Sequence, residues 1–354
     1  MQQILKELMN ETKYQLFHYP QTTKKQDIKY LIKRVVRPAH TPKRDFFFWP
    51  HALLTQSLET AGELETLKEY YNLWIEKGLP IYNIDNVMIG YSLLYVYEET
   101  KEEKYRQAAD KLYEYLVQYV KDMNGMIPYR KGNPDHIYVD GVGMIVPFLC
   151  RYGAMFKKRE ATDLGIRQIR EFLQYGMDDV TGLPYHGYDI KTGVKYGIIG
   201  WGRALGWLLL AMVDSIEYLR DEKLQKEIVE TFQKLIENVL PYLRSDGYFS
   251  WQIFAKEGPK DTSATSMIGY ALKKGKRYLN FASKQEQDDL SNTTENKILI
   301  DNALGKIETA LLHSCKKGKI YDCSGECHGF SQYPQVYGTY PWSLGPAMRF
   351  LWIK

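Results

Sequence analysis

Three aspartates stand directly before long apolar segments: Asp85 before NVMIG, Asp140 before GVGMI and Asp261 before TSATS. A carboxyl group in such a place has two uses. Its oxygen can cap a helix by accepting an otherwise unpaired backbone N–H. Sheltered beside a second acid, it can instead carry a proton to and from a substrate. Asp140 has the company for the second use, because HIYVDGVGM surrounds it with His136, Tyr138, Gly141 and Gly143. The glycines leave room for a ligand, or let a neighbouring helix come close. A second stretch, YHGYDIKTGVKYGIIGWGRALGW, gathers Tyr185, His186, Trp201, Arg203 and Trp207. His186 could bond a carboxylate or a sugar hydroxyl, the indoles offer stacking faces, and the Arg203 fork fits a substrate carboxylate. The alternative is a satisfied loop, with His186 on backbone, Arg203 in an ion pair and the tryptophans in the core.

Two kinds of helix must position these residues. Glu102–Val120, Lys158–Leu173 and Glu222–Leu240 carry apolar residues on one stripe and charges elsewhere, as surface helices do. Asp85–Tyr97, Asp140–Phe156, Arg203–Leu219 and Asp261–Leu272 are apolar nearly all round and must be buried on most sides. The two kinds alternate. Asp85, Asp140, Trp201 and Asp261 open the buried segments at intervals of 55, 61 and 60 residues, each long enough for two helices and their loops. About twelve helices in six hairpins then close an all-α barrel, an inner ring inside an outer one. Corresponding ends of the inner helices share one rim, which brings Asp85, Asp140 and the loop before Trp201 together. Pro147 should kink its helix. Strands are a minor component. The polar stretch Lys274–Asn296 reads as a surface excursion within one domain spanning 1–354.

Composition narrows the rest. A hydrophobic share of 44% with 25% charged residues describes a folded globular chain. The net charge of +4 is spread without a basic run, which argues against a nucleic-acid partner. The strongly apolar run Trp207–Val213 is far short of the roughly 18 residues that span a membrane. No apolar leader opens the chain, so a cytoplasmic setting with reduced thiols is expected for Cys150, Cys315, Cys323 and Cys327. The C-x3-C of CSGECH, with His313 and Cys315 nearby, reads as free thiols rather than a zinc site.

Four ordered segments, HIYVDGVGMIVPFL, GLPYHGYD, GWGRALGW and DTSATSMIGYAL, resemble the signature segments of the unsaturated uronyl hydrolases, glycoside hydrolase families 105 and 88. The resemblance runs from Asp85 to about Leu272 and implies an (α/α)6 barrel. It implies removal of a 4,5-unsaturated uronic acid from the non-reducing end of lyase-generated oligosaccharides, with no cofactor or metal. It casts Asp140 as general acid and base, Asp85 as the second acid and His186 as a partner of the catalytic carboxylate. Trp201, Arg203 and Trp207, with Tyr185, Trp49 and His136, fall at substrate-contacting positions. A proton donor at Asp140 must hold its proton against a helix N-terminus that favours the ionised form; burial and a nearby Asp85 are expected to oppose it. The loop from Asp189 to Trp201 looks shorter than is usual in family 105, and Tyr138 and Tyr188 stand where tryptophan is commoner. Those departures bear on the leaving sugar. Two other readings stay open on the same barrel: a sugar epimerase or isomerase, and a non-catalytic carbohydrate-binding protein.

Overall fold

A helix that is apolar on nearly every side finds no stable place at a surface, and the computed structural model gathers six such helices into a ring. The structure describes residues 1–19, 48–279, 290–327 and 329–354, with 290–297 as backbone only, and a few positions between 28 and 36. In chain order the first helices are α1 (Gln2–His18), α2 (Trp49–Thr60), α3 (Leu64–Glu76), α4 (Gly90–Thr100, entered through a 3-10 turn at Ile84–Ile89), α5 (Glu103–Gln118) and α6 (Val139–Phe156). There follow α7 (Arg159–Tyr175), α8 (Gly202–Val213), α9 (Glu222–Val239), α10 (Thr262–Gly275), α11 (Leu290–Ser314) and α12 (Pro341–Trp352).

The even-numbered helices form the inner ring. Each packs on the next, and α12 closes the circle against α2. The odd-numbered helices lie outside. In α9, Ile228, Phe232, Leu235, Ile236 and Val239 face inward; in α5, Tyr105, Ala109, Leu112 and Leu116 do the same. The arrangement is the (α/α)6 barrel that the alternating patterns and the resemblance imply. Helix α6 is long and apolar enough to cross a membrane by length and composition, yet 78% of it is buried inside the ring. It runs through Pro147 to Phe156. Of the polar stretch Lys274–Asn296, residues 280–289 lie outside the described residues.

Close approach fixes how α6 meets α8. A Cβ at Gly143 would stand 2.8 Å from both the ring and the backbone oxygen of Trp207. Gly143 therefore serves helix packing rather than ligand access. Gly143→Ala is expected to destabilise the fold by about 1–3 kcal/mol through overpacking, read from urea unfolding followed by circular dichroism.

At the mouth formed by the C-terminal ends of the inner helices, a buried ion cluster ties the ring. Asp214, just past α8, accepts Arg349 Nη1 and Nη2 at 2.8 and 2.9 Å, Lys274 Nζ at 2.8 Å and the Tyr270 hydroxyl at 2.8 Å. Gln56 of α2 accepts from Arg349 at 3.1 Å. Three inner helices thus converge on one carboxylate, and α2 joins them through Arg349.

Candidate active site

The opposite mouth, at the N-terminal ends of the inner helices, holds the three aspartates, and capping separates them. Asp261 is a cap: its Oδ1 accepts the Ser263 N–H at 2.9 Å and the Ser263 hydroxyl at 2.7 Å. Asp140 is the second residue of α6, behind the cap position at Tyr138. Asp85 lies in the first turn of the 3-10 segment, where Asn86 Oδ1 accepts the N–H groups of Tyr82 and Asn83. Asp140 is therefore not spent on capping, and the capping box at the 3-10 segment is made by Asn83 and Asn86.

His186 reaches Asp140 through a small sheet. Strand β1 (His136–Tyr138) pairs antiparallel with β2 (Gly187–Asp189), which pairs with β3 (Lys195–Tyr196). The Val139 N–H donates to the His186 carbonyl at 3.0 Å, so the start of α6 and the histidine are stitched together. The segment Tyr185–Trp201 is thus a hairpin more than a loop. Its turn is held by Asp189 Oδ1, which accepts the N–H groups of Lys191 and Thr192 at 2.9 Å, and by Gly193 at φ +69°.

His186 Nε2 lies 2.9 Å from Asp140 Oδ2, and Nδ1 lies 2.7 Å from the Tyr333 hydroxyl. The histidine is 1% exposed and the aspartate 15%, so the pair is sheltered with one side open. Burial opposes charge on the imidazole, but the charge and hydrogen bond of Asp140 outweigh it and lift His186 to about 9. Trp201, Tyr138 and Phe330 ring the imidazole at centroid distances of 4.5, 5.2 and 5.5 Å. Gly197, at φ +84°, is required here, since a Cβ would meet His186 Cβ and the Tyr333 hydroxyl, each at 2.5 Å.

Burial pushes the Asp85 carboxyl up to about 6, with Glu326 adding to the rise. Its Oδ1 is closed to solvent and has no hydrogen-bond partner. Burial, and then the charges of Asp85 and Asp140, hold the Tyr129 hydroxyl above its ordinary range. The direct partner of Asp140 is His186, not a second acid.

The expected substrate contacts fare differently. Trp201, Trp207 and Trp49 are buried, at 0, 1 and 7% exposure, so they offer no open stacking face. Trp201 backs His186, and Trp207 packs edge-on to Trp49 at 5.8 Å. The Nε1 atoms of Trp201 and Trp207 are buried without partners. Arg203 is buried too, and its fork is engaged by Ser263 Oγ, Ser324 O and Oγ and Gly325 O at 2.8–3.3 Å. It anchors a loop instead of waiting for a carboxylate. Tyr185 is half-buried, with its ring beside the Lys195 ammonium. His136 is half-buried at the rim, 3.1 Å from Asp189 and stacked obliquely on Phe330.

The loop anchored by Arg203 supplies what the sequence reading missed. Asp261 Oδ2 accepts the Ser324 hydroxyl at 2.8 Å, and β4 (Cys323–Ser324) pairs with β5 (Tyr337–Gly338). Between them the chain crosses the mouth and delivers Glu326, Cys327, Phe330 and Tyr333. Phe330 stacks on Tyr138 at 4.0 Å and on Tyr196 at 5.0 Å. The aromatic run SQYPQVYGTYPW was the visible signal, but it has no helical or strand period. The C-x3-C does not converge: Cys323 is fully buried, while Cys327 turns to the pair. His328 lies outside the described residues. Among the described residues, Asp140, His186 and Cys327 form a group able to hold a metal ion, with ligand atoms within 4.8 Å of one another.

The unsaturated rhamnogalacturonyl hydrolase YesR of Bacillus subtilis is 29% identical over 200 residues, 52% of this chain and 58% of that protein. The chain spans a little over half the length of the curated relatives it matches. Among solved structures, a possible member of the GH105 family from Salmonella enterica serovar Paratyphi A superposes with a TM-score of 0.80 at 17% identity, covering 98% of this chain and 92% of the other. The unsaturated glucuronyl hydrolase of Bacillus sp. GL1, described as responsible for the degradation of glycosaminoglycan, gives 0.71 at 15% identity over 99 and 96%. Both likenesses are of fold. Residues 52–303 match the family described as Glycosyl Hydrolase Family 88. A match over most of the ring, helices α2 to α10 included, settles kinship: the chain belongs to glycosyl hydrolase family 88.

Proposed function

We propose that this protein hydrolyses oligosaccharides ending in a 4,5-unsaturated uronic acid, releasing that residue from the non-reducing end. The observation that carries the reading is the sheltered Asp140–His186 pair at 2.9 Å, at the same mouth as Asp85, whose buried Oδ1 has no hydrogen-bond partner. The names of YesR and of the glucuronyl hydrolase support the substrate class.

The pair carries one proton, resting on His186 and passing through Asp140. Asp140 delivers it to C4 of the C4=C5 bond, and the cation at C5 is stabilised by the ring oxygen. Water adds at C5 and returns its proton to Asp140, which restores the pair. The hemiketal opens to a ketone, C1 becomes a hemiacetal, and that collapses to an aldehyde with release of the leaving sugar. The anomeric carbon is never attacked, so carboxylate spacing rules for retaining and inverting enzymes do not apply. Asp85 accepts a hydroxyl of the reacting sugar. Protonated below about pH 6, it accepts best once ionised. The expected kcat/KM therefore rises as pH passes through about 6, and Asp85→Asn loses this limb with about a 10- to 100-fold drop. A pH–rate profile of both proteins checks it.

The deciding experiment follows the ultraviolet absorbance of the conjugated alkene during incubation with unsaturated disaccharides from pectin, glycosaminoglycan and bacterial exopolysaccharide lyases. Loss of absorbance with release of the second sugar supports the reading. Isomerisation of a saturated sugar, or binding of all three without turnover, overturns it.

A further inference from the structure

A thiol beside a catalytic carboxylate and an imidazole has no part in alkene hydration. Cys327 stands in that position, half-buried between Gly325 and Gly329, the latter at φ +112°. Its Sγ, His186 Nε2 or Nδ1 and an Asp140 oxygen all lie within 4.8 Å of one another. We propose that Asp140, His186 and Cys327 form a zinc site that shuts the enzyme when filled.

The donor set suits a borderline-soft, tetrahedral ion: one thiolate, one imidazole and one carboxylate, with a fourth position open to water on the exposed side of Asp140. Ligand atoms around tetrahedral zinc stand roughly 3.3–3.7 Å apart, so a small movement of Cys327 on its glycine-flanked loop brings the three into range. The imidazole is already held in place. With Nε2 on the metal, Nδ1–H donates to the Tyr333 hydroxyl 2.7 Å away, which fixes the tautomer as outer-shell partners do. Burial holds that hydroxyl above its ordinary range, so it stays neutral. Cys323 is excluded, since it is fully buried and burial also holds its thiol protonated. Filling the site removes the proton from the pair and engages Asp140, so the metal and the alkene compete.

The binding arm stands without the hydrolase reading, and only the inhibition arm rests on it. Co2+ titrated into the whole protein is expected to give a thiolate-to-cobalt charge-transfer band with tetrahedral d–d absorption. Both are lost in Cys327→Ser and kept in Cys315→Ser. Zn2+ should displace the cobalt, and should protect Cys327 alone from a thiol reagent, as mapped by mass spectrometry on the unmutated protein. Zn2+ should stop loss of alkene absorbance reversibly with EDTA, and about tenfold or more Zn2+ should be needed in Cys327→Ser relative to its own uninhibited rate. Cobalt binding without a thiolate band, a band that survives Cys327→Ser, or protection of a different cysteine overturns the site. Zinc bound at Cys327 with full turnover overturns its inhibitory role.

Discussion

Asp140→Asn is expected to lower turnover of an unsaturated disaccharide by about 10³-fold or more while leaving the fold intact. The amide keeps the shape of the side chain and can still meet His186, so the fold is retained, although the stability linked to the raised imidazole is lost with the charge. It can neither deliver a proton to carbon nor take one from water, and both duties of a general acid and base fall at once. Alkene absorbance measured at saturating substrate separates the two losses, since binding survives and kcat does not. Thermal unfolding of the variant beside the parent checks that the fold is retained. Turnover by the amide variant at the parental rate ends the reading of Asp140 as proton carrier.

The second large effect is structural. Asp214→Asn leaves Arg349 buried with no full counter-charge and Lys274 with Glu217 alone, because Asp214 is their shared partner and is 1% exposed. Removing one member of a buried ion cluster costs about 3–5 kcal/mol, a large part of a typical folding free energy. Urea unfolding should show the loss in the midpoint. The same carboxylate sets the acid limit. Burial alone would raise Asp214, but the charges of Arg349 and Lys274 win and hold it well below the usual carboxylate range. A lowered native value means the stabilisation is present above the unfolded value near 4 and is lost as pH falls below it. The parent should therefore lose stability steeply in acid, and Asp214→Asn should lose less of it over the same range. An equal acid dependence in both proteins removes Asp214 from the account.

The barrel was legible because its signal is local. Each helix reports its own surroundings through the width of its apolar face, and the alternation of wide and narrow faces from Glu102 to Leu272 needs only two layers to satisfy it. The repeat interval brings Asp140 and His186, 46 residues apart, to the same rim, while their pairing was implied only by the family resemblance. For Trp201, Trp207 and Arg203 the sequence left binding group and core side by side, because an aromatic or a guanidinium in an apolar stretch looks alike whether it faces a ligand or a neighbour. Burial decides that, and burial belongs to the assembled ring. Tyr333 was invisible. It meets His186 across 147 residues from a segment with no periodicity, so nothing in its own surroundings announces the contact.

The crossing segment carries a temporal consequence. During synthesis the aspartate and histidine emerge long before the tyrosine that steadies them, and the ring stays open until α12 lodges between α10 and α2. Contacts of such long sequence separation form late. A nascent chain halted ahead of residue 333 holds Asp140 and His186 without the Tyr333 hydroxyl that meets the imidazole. The mouth around Asp140 and His186 is therefore completed only when α12 seats between α10 and α2.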